Sequence, residues 1–291
     1  HDAHTAIGLA VARMLAENRA AIRGRVKFVF QPAEEIGRGA LAMIRDGVLE
    51  SPRPDYTLGL HMWSAQPVGR VSATPGPTMS AAARFNCVIT GYGGHGAQPH
   101  ETRDPIAAAV QIVSATQTII SRNVDPLDMA VVTVASIVGG DTYNIIPQQV
   151  ELKGTIRTYR RPVYETIVSR LEEICTRIAA AFQCEAHLEV DGTSVSVHND
   201  SMVSSRVEAV AARIVGRENV TTNDRLLVSD DMAYLMNDIP GCYFLIGSSP
   251  KDGTPGYPHH HPLFAVDDEA LALGAAILAE SAASFLMTTG E

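Results

Sequence analysis

The chain has 291 residues, 46% hydrophobic and 19% charged, so it can bury a sizeable core in two domains or one large one. A formal charge of −9 without any Lys/Arg cluster argues against a nucleic-acid partner. Cys87, Cys175, Cys184 and Cys242 lack CxxC spacing, which excludes a disulfide framework and a Cys-rich zinc site.

Reduced, cytoplasmic thiols are the reading that follows. No apolar run reaches the roughly 18 residues of a bilayer span, and no signal peptide opens the chain. No membrane partner is therefore expected. Aromatics are only 5%, and the aliphatic apolar mass resembles that of α/β enzymes.

Residues 1–78 read as an α/β piece. Thr5 to Glu17 is Ala-rich, with Ile7, Leu9, Val11, Met14 and Leu15, and predicts a helix. Arg25 to Phe30 is a β-rich run that stops at Gln31-Pro32. Gly39 to Val48 predicts a second helix, and Asp55 to His61 a short buried strand. That order favours a parallel sheet covered by helices.

Residues 79–190 read differently. Arg84 to Gly91 alternates as a strand, and Asp104-Pro105 opens a helix through Ser121. Met129 to Val138 and Val150 to Tyr159 are strand-like on either side of a Gly139-Gly140 turn. Arg161-Pro162 opens a helix to about Phe182, and Ala186 to Val190 closes the segment as a strand. The order β-α-β-β-α-β is the split βαβ, or ferredoxin-like, unit.

Residues 191–291 return to the first style. Ser201 to Val215 predicts a helix, and Leu226 to Asp231 leaves a strand for a loop. Cys242 to Ile246 is a short buried strand, and Asp267 to Leu286 a long Ala/Leu helix capped at Asp267 or Asp268.

Several residues are suited to metal-assisted chemistry. His1 and His4 are spaced to share a helix face, or are ordinary polar residues of the first turn. Glu34-Glu35 follows an apolar run and a Pro, where α/β sheets place ligands. Adjacent side chains diverge, so one acid can coordinate while the other acts as general base. An acidic first turn of the next helix is the plain alternative.

His61 ends an apolar run, where a satisfied core histidine is common, and His259-His260-His261 lies in a loop before Pro262. Imidazoles and carboxylates together are the ligand set of a hydrolytic zinc-type site. In the Gly-rich stretch Gly91 to His100, His95 can donate to a developing oxyanion, or the stretch is a flexible turn. Arg157 can pair a carboxylate bidentately, or stand exposed on its strand.

Seven motifs then stand in order: His1-Asp2-x-His4-Thr5, Phe30-Gln31-Pro32-Ala33-Glu34-Glu35, Gly59-Leu60-His61, Gly93 to His100, Asn144-x-Ile146-Pro147, Gly154-Thr155-x-Arg157 and His260-x-Pro262-x-Phe264. Across its whole length the chain resembles the di-metal amidohydrolases of the aminoacylase/carboxypeptidase family. The branch it resembles most is that of hippurate hydrolase and the indole-acetyl-amino-acid hydrolases.

The resemblance implies an α/β zinc-peptidase-like catalytic domain over 1–78 and 191–291. A ferredoxin-like lid over 79–190, which also mediates homodimerisation, interrupts it. It implies two divalent ions (Zn, Mn, Co or Ni) on His1, Glu35, His61 and His260. Glu34 is then the general base, and His95 the group that polarises the scissile carbonyl, in its own chain or across the dimer. Asn144 and Arg157 contact substrate, and Asp2 orients a ligand. His4 matches a motif position without an assigned metal contact.

The family also places Cys-Gly ahead of the first His, and roughly 100 residues upstream that complete the catalytic domain. The expected activity is hydrolysis of N-acyl-amino acids or short peptides. The alternatives are a family carboxypeptidase or deacetylase, or an N-terminally truncated fragment that retains only dimerisation.

Overall fold

The computed structural model describes residues 1–193, 195–250 and 256–287. In chain order its principal elements are α1 (Asp2–Glu17), α2 (Gly39–Arg45), β1 (Thr57–Pro67), β2 (Val71–Ser72), β3 (Gly76–Met79), β4 (Ala81–Thr90), β5 (Gly94–His95), α3 (Pro105–Asn123), β6 (Ala130–Val138) and β7 (Ile145–Ile146). Then come β8 (Gln149–Thr158), α4 (Arg161–Ala181), β9 (Glu185–Thr193), β10 (Val197–Asn199), α5 (Ser201–Val215), β11 (Val220–Thr221), α6 (Met232–Met236), β12 (Gly241–Ser249) and α7 (Asp268–Leu286). The chain divides into two units. One holds His1–Thr78, Val197–Leu226 and Asp230–Glu291, the other Met79–Ser196 and Leu227–Ser229.

The first unit is built on a sheet of order β1-β12-β2-β11. β1 runs parallel to β12 with Gly59 opposite Tyr243 and His61 opposite Leu245, whereas β2 is antiparallel to β12. The sheet is therefore mixed rather than parallel. Ile7, Val11 and Leu15 of α1 form a stripe at helical spacing. They pack with Val203, Val207 and Val210 of α5, Ile277 of α7, and Leu60, Met62, Phe244 and Ile246 of the sheet.

Three local expectations are corrected in this unit. The β-rich run Arg25 to Phe30 joins no ladder among the described residues. Instead Lys27 Nζ donates to the carbonyls of Val48, Glu50 and Pro52, and Phe30 lies over Gly8 of α1. β1 continues to Pro67, so His61 sits within a strand and not at its end. α7 does reach the length and hydropathy of a membrane span, contrary to the expectation that no run would. Its Ala270, Gly274, Ile277 and Ser281 are nonetheless buried, as in a core helix.

The second unit is an antiparallel sheet of order β6-β8-β4-β9 packed with α3 and α4. Taken as β-α-β-β-α-β, the four strands lie in the order second, third, first, fourth, the ferredoxin-like arrangement. One sheet face supplies Phe85, Cys87, Ile89, Val150, Leu152 and Ile156 to the core, which alternation along each strand requires. The Asp104 carboxylate caps α3 by accepting from the Ile106 and Ala107 N–H groups.

Candidate metal centre

Glu34 and Glu35 sit on a short 3-10 turn, Glu34–Ile36, between two left-handed residues, Ala33 (φ 55°) and Gly37 (φ 63°). The turn presents both acids to His1, and Glu35 to His260 as well. Glu34 Oε2 lies 3.8 Å from His1 Nε2, and Glu35 Oε1 lies 3.8 Å from His1 Nδ1. Glu35 Oε2 lies 3.7 Å from Nε2 of His260, which is itself left-handed (φ 67°).

These gaps exceed a hydrogen bond and approach the donor spacing of about 3.4 Å around a tetrahedral ion. One ligand atom from each of His1, His4 and His61 also falls within 4.8 Å of the others. Neutral imidazoles and carboxylates facing one another at this spacing fit divalent cations.

The backbone assigns the ring tautomers. His61 Nδ1 approaches the Met62 carbonyl at 2.7 Å and must donate to it, which leaves the Nε2 lone pair for a ligand. His4 Nε2 accepts from the Met62 N–H at 2.9 Å, and His259 Nε2 accepts from the Ser64 N–H at 3.2 Å. Those rings carry their proton on Nδ1 and offer no free lone pair.

Burial, then His61, holds His4 down at about 3, and burial, then His61 and His260, holds His259 down at about 4. Burial likewise lowers His61, against the Met62 carbonyl, which favours the charged ring. Burial is also the main cause that pushes Glu34 up to about 7, followed by the carboxylates of Asp230, Glu35 and Asp231. A carboxylate so raised can exchange a proton near neutrality.

Asp2 is fully exposed, and its carboxylate accepts from the Ala3 N–H at 2.8 Å; among the described residues no contact with a candidate ligand side chain is found for it. His95, Asn144 and Arg157 belong to the second unit. β5 pairs with β7 so that His95 is opposite Ile145, and Gly96 N–H donates to the Asn144 carbonyl at 2.8 Å. His95 Nδ1 accepts from the Ala97 N–H at 3.0 Å, which leaves the proton on an exposed Nε2. Arg157 is half-buried on β8, and burial, then Arg84, lowers its pKa.

Sequence reasoning passed over Asp230 and Asp231. Tyr243 Oη donates to Asp230 Oδ2 at 2.8 Å, and the Met232 N–H to Oδ1 at 2.8 Å. Carboxylate oxygens of Glu34, Asp230 and Asp231 gather within 4.8 Å of one another. Two adjacent acids after an apolar run were the available signal, the same one that drew attention to Glu34-Glu35. His259 was also passed over as a contact. Its ring lies 5.3 Å from His61 and 4.9 Å from Trp63.

Residues 1–284 match the family model described as Peptidase family M20/M25/M40. N-acetyl-L-cysteine deacetylase of Bacillus subtilis (strain 168) is 37% identical over 291 residues, which span 100% of this chain and 68% of that protein. IAA-amino acid hydrolase ILR1-like 4 of Arabidopsis thaliana is 35% identical over 291 residues, spanning 99% and 66% of the two chains. A Bacillus subtilis crystal structure described as a dinuclear metal-binding peptidase of the M20 family superposes with a TM-score of 0.81 at 32% identity. That match covers 98% of this chain and 72% of the other.

Proposed function

The chain belongs to peptidase family M20/M25/M40 and is a metal-dependent amidohydrolase, and on that premise we propose that it hydrolyses the amide bond of N-acyl-amino acids, hippurate-like or related, with Glu34 as general base. The observation that supports this reading is the different surroundings of two adjacent acids. Glu35 lies between His1 and His260, while half-buried Glu34 stands beside His1 with its pKa raised to about 7.

His1, Glu35, His61 and His260 are the ligands in this reading. They would hold two divalent ions, which when bound would supply Lewis-acid polarisation and lower the pKa of water. Glu34 takes a proton from the attacking water and returns it to the leaving amine. His95, protonated at Nε2, donates to the oxygen of the scissile carbonyl. Arg157 pairs with the substrate carboxylate, and Asn144 makes a further substrate contact. The names of the relatives, an N-acetyl-L-cysteine deacetylase and an IAA-amino acid hydrolase, support the substrate class.

Protein loaded with Mn, Co, Ni or Zn should hydrolyse members of a panel containing N-acetyl-cysteine, hippurate and indole-acetyl-amino acids. Glu34→Gln should lower kcat at least about 100-fold with metal content unchanged. Full activity in that variant would remove Glu34 from its role, and silence across the panel would remove the substrate class.

A homodimer through the lid belongs to the same reading. β6 is an edge strand, and its Ile137 and Val138, like Val110 of α3, are exposed apolar residues. Sedimentation should report twice the chain mass, and the monomer mass for Ile137→Glu. The four cysteines are free and buried, which supports a reducing, cytoplasmic compartment.

A further inference from the structure

The loop that carries Glu34 and Glu35 has no ladder or long helix to hold it. Gln31 to Arg38 joins no strand, and only the single turn Glu34–Ile36 is regular. Its two ends nevertheless meet at one buried side chain. Asp231 Oδ1 accepts from the Gln31 side-chain amide, and Oδ2 accepts from the Ala40 N–H at 3.0 Å. Asp231 is only 2% exposed.

At the same neck Gly39 lies against Pro32 so closely that a Cβ on it would overlap the Pro32 carbonyl oxygen. The preceding residue continues the connection. Asp230 accepts from the Tyr243 hydroxyl on β12, and Tyr243 is opposite Gly59 on β1, two positions before His61.

We propose that Asp231 is a positioning residue: it clamps the neck of the Gln31–Ala40 loop and, with Asp230, rivets Glu34 and Glu35 to the sheet that carries His61. A carboxylate can meet N–H groups from both ends of a loop at once, with one oxygen for each, on a short side chain. Placing a carboxylate beside Glu34 is electrostatically unfavourable, so its retention there is offset by the donors it satisfies. A ligand loop held in this way enters metal binding already ordered, and the consequence for metal rests on the ligand roles proposed above.

Amide hydrogen exchange on metal-free protein tests the clamp directly. Asp231→Ala should speed exchange at residues 33–40 by about tenfold or more and leave β12 and α7 unchanged. Its zinc affinity, measured by titration, should fall by about tenfold or more. Asp231→Asn should lie near the unaltered protein, because the Gln31 amide can turn its oxygen toward the new NH2 group. If Asp231→Ala does not fold, Gln31→Leu removes half of the clamp and should show the same local pattern at smaller size.

Unchanged exchange at 33–40, a rise spread over the whole unit, or unchanged zinc affinity would overturn the proposal. So would an Asp231→Asn variant that behaves as Asp231→Ala, since charge and not the clamp would then be at work. If the unaltered protein binds no zinc, the metal reading fails separately, and the exchange pattern alone decides the clamp.

Discussion

The Met62 N–H donates to His4 Nε2 at 2.9 Å, while the Met62 carbonyl accepts from His61 Nδ1 at 2.7 Å. One residue's backbone thus gives two neighbouring imidazoles opposite tautomers. His61→Ala should therefore lower the number of ions bound per chain. His4→Ala should keep the stoichiometry and weaken affinity by about 10–100-fold, as loss of an orienting partner does. Metal analysis after equilibrium dialysis reads both, and loss of an ion in His4→Ala would contradict the tautomer assignment.

Glu34 links the site to pH. Its folded pKa of about 7 lies above the ordinary glutamate value of 4.5. Between those values the unfolded chain releases a proton that the folded chain holds, so ionised Glu34 destabilises the fold as pH rises through 4.5 to 7. Metal-free Glu34→Gln should thus be more stable than the unaltered protein at pH 8, by about 2 kcal/mol. At pH 4 the difference should vanish. Urea midpoints in the presence of chelator check both, and equal midpoints at pH 8 would show that Glu34 carries no burial cost.

Gly154 opens the Gly154-Thr155-x-Arg157 motif for a packing reason. A Cβ there would overlap the Thr133 carbonyl and the Phe85 ring. Gly154→Ala should destabilise the second unit by about 1–3 kcal/mol through overpacking. Calorimetry should show the lowered transition, with the zinc stoichiometry of the first unit unchanged.

Asp104 is a cap with two backbone donors, from Ile106 and Ala107. Asp104→Ala should cost about 1 kcal/mol, visible as a lower urea midpoint of the same unit. No change would mean that Pro105 alone starts the helix.

Much of the fold was legible in the sequence where local pattern and packing agree. The helix Ser201 to Val215 matches α5 at both ends, because Asp200 caps it and Val203, Val207 and Val210 form its buried stripe. In the second unit, alternation made β4 legible, since Phe85, Cys87 and Ile89 face the core in turn. Arg25 to Phe30 was not, since β propensity needs a ladder partner and none is described for it. His61 was expected at a strand end because Met62 and Trp63 were not counted with the strand. Pairing with Ile246 and Gly247 of β12 extends it.

The sequence by itself determined which chemical groups are present and in what order: His1, Glu34, Glu35, His61 and His260 in the first unit, and His95, Asn144 and Arg157 in the second. Residue type sets ligand and acid–base chemistry, so that much needs no coordinates. Only the tertiary structure decided which histidine keeps a free lone pair, and which of two adjacent acids is buried enough to be raised toward neutrality. It also brought Asp231 to Gln31 across 200 positions of sequence. Hydrogen-bond direction and desolvation depend on which backbone and which charges lie beside a side chain, and folding alone sets those neighbours.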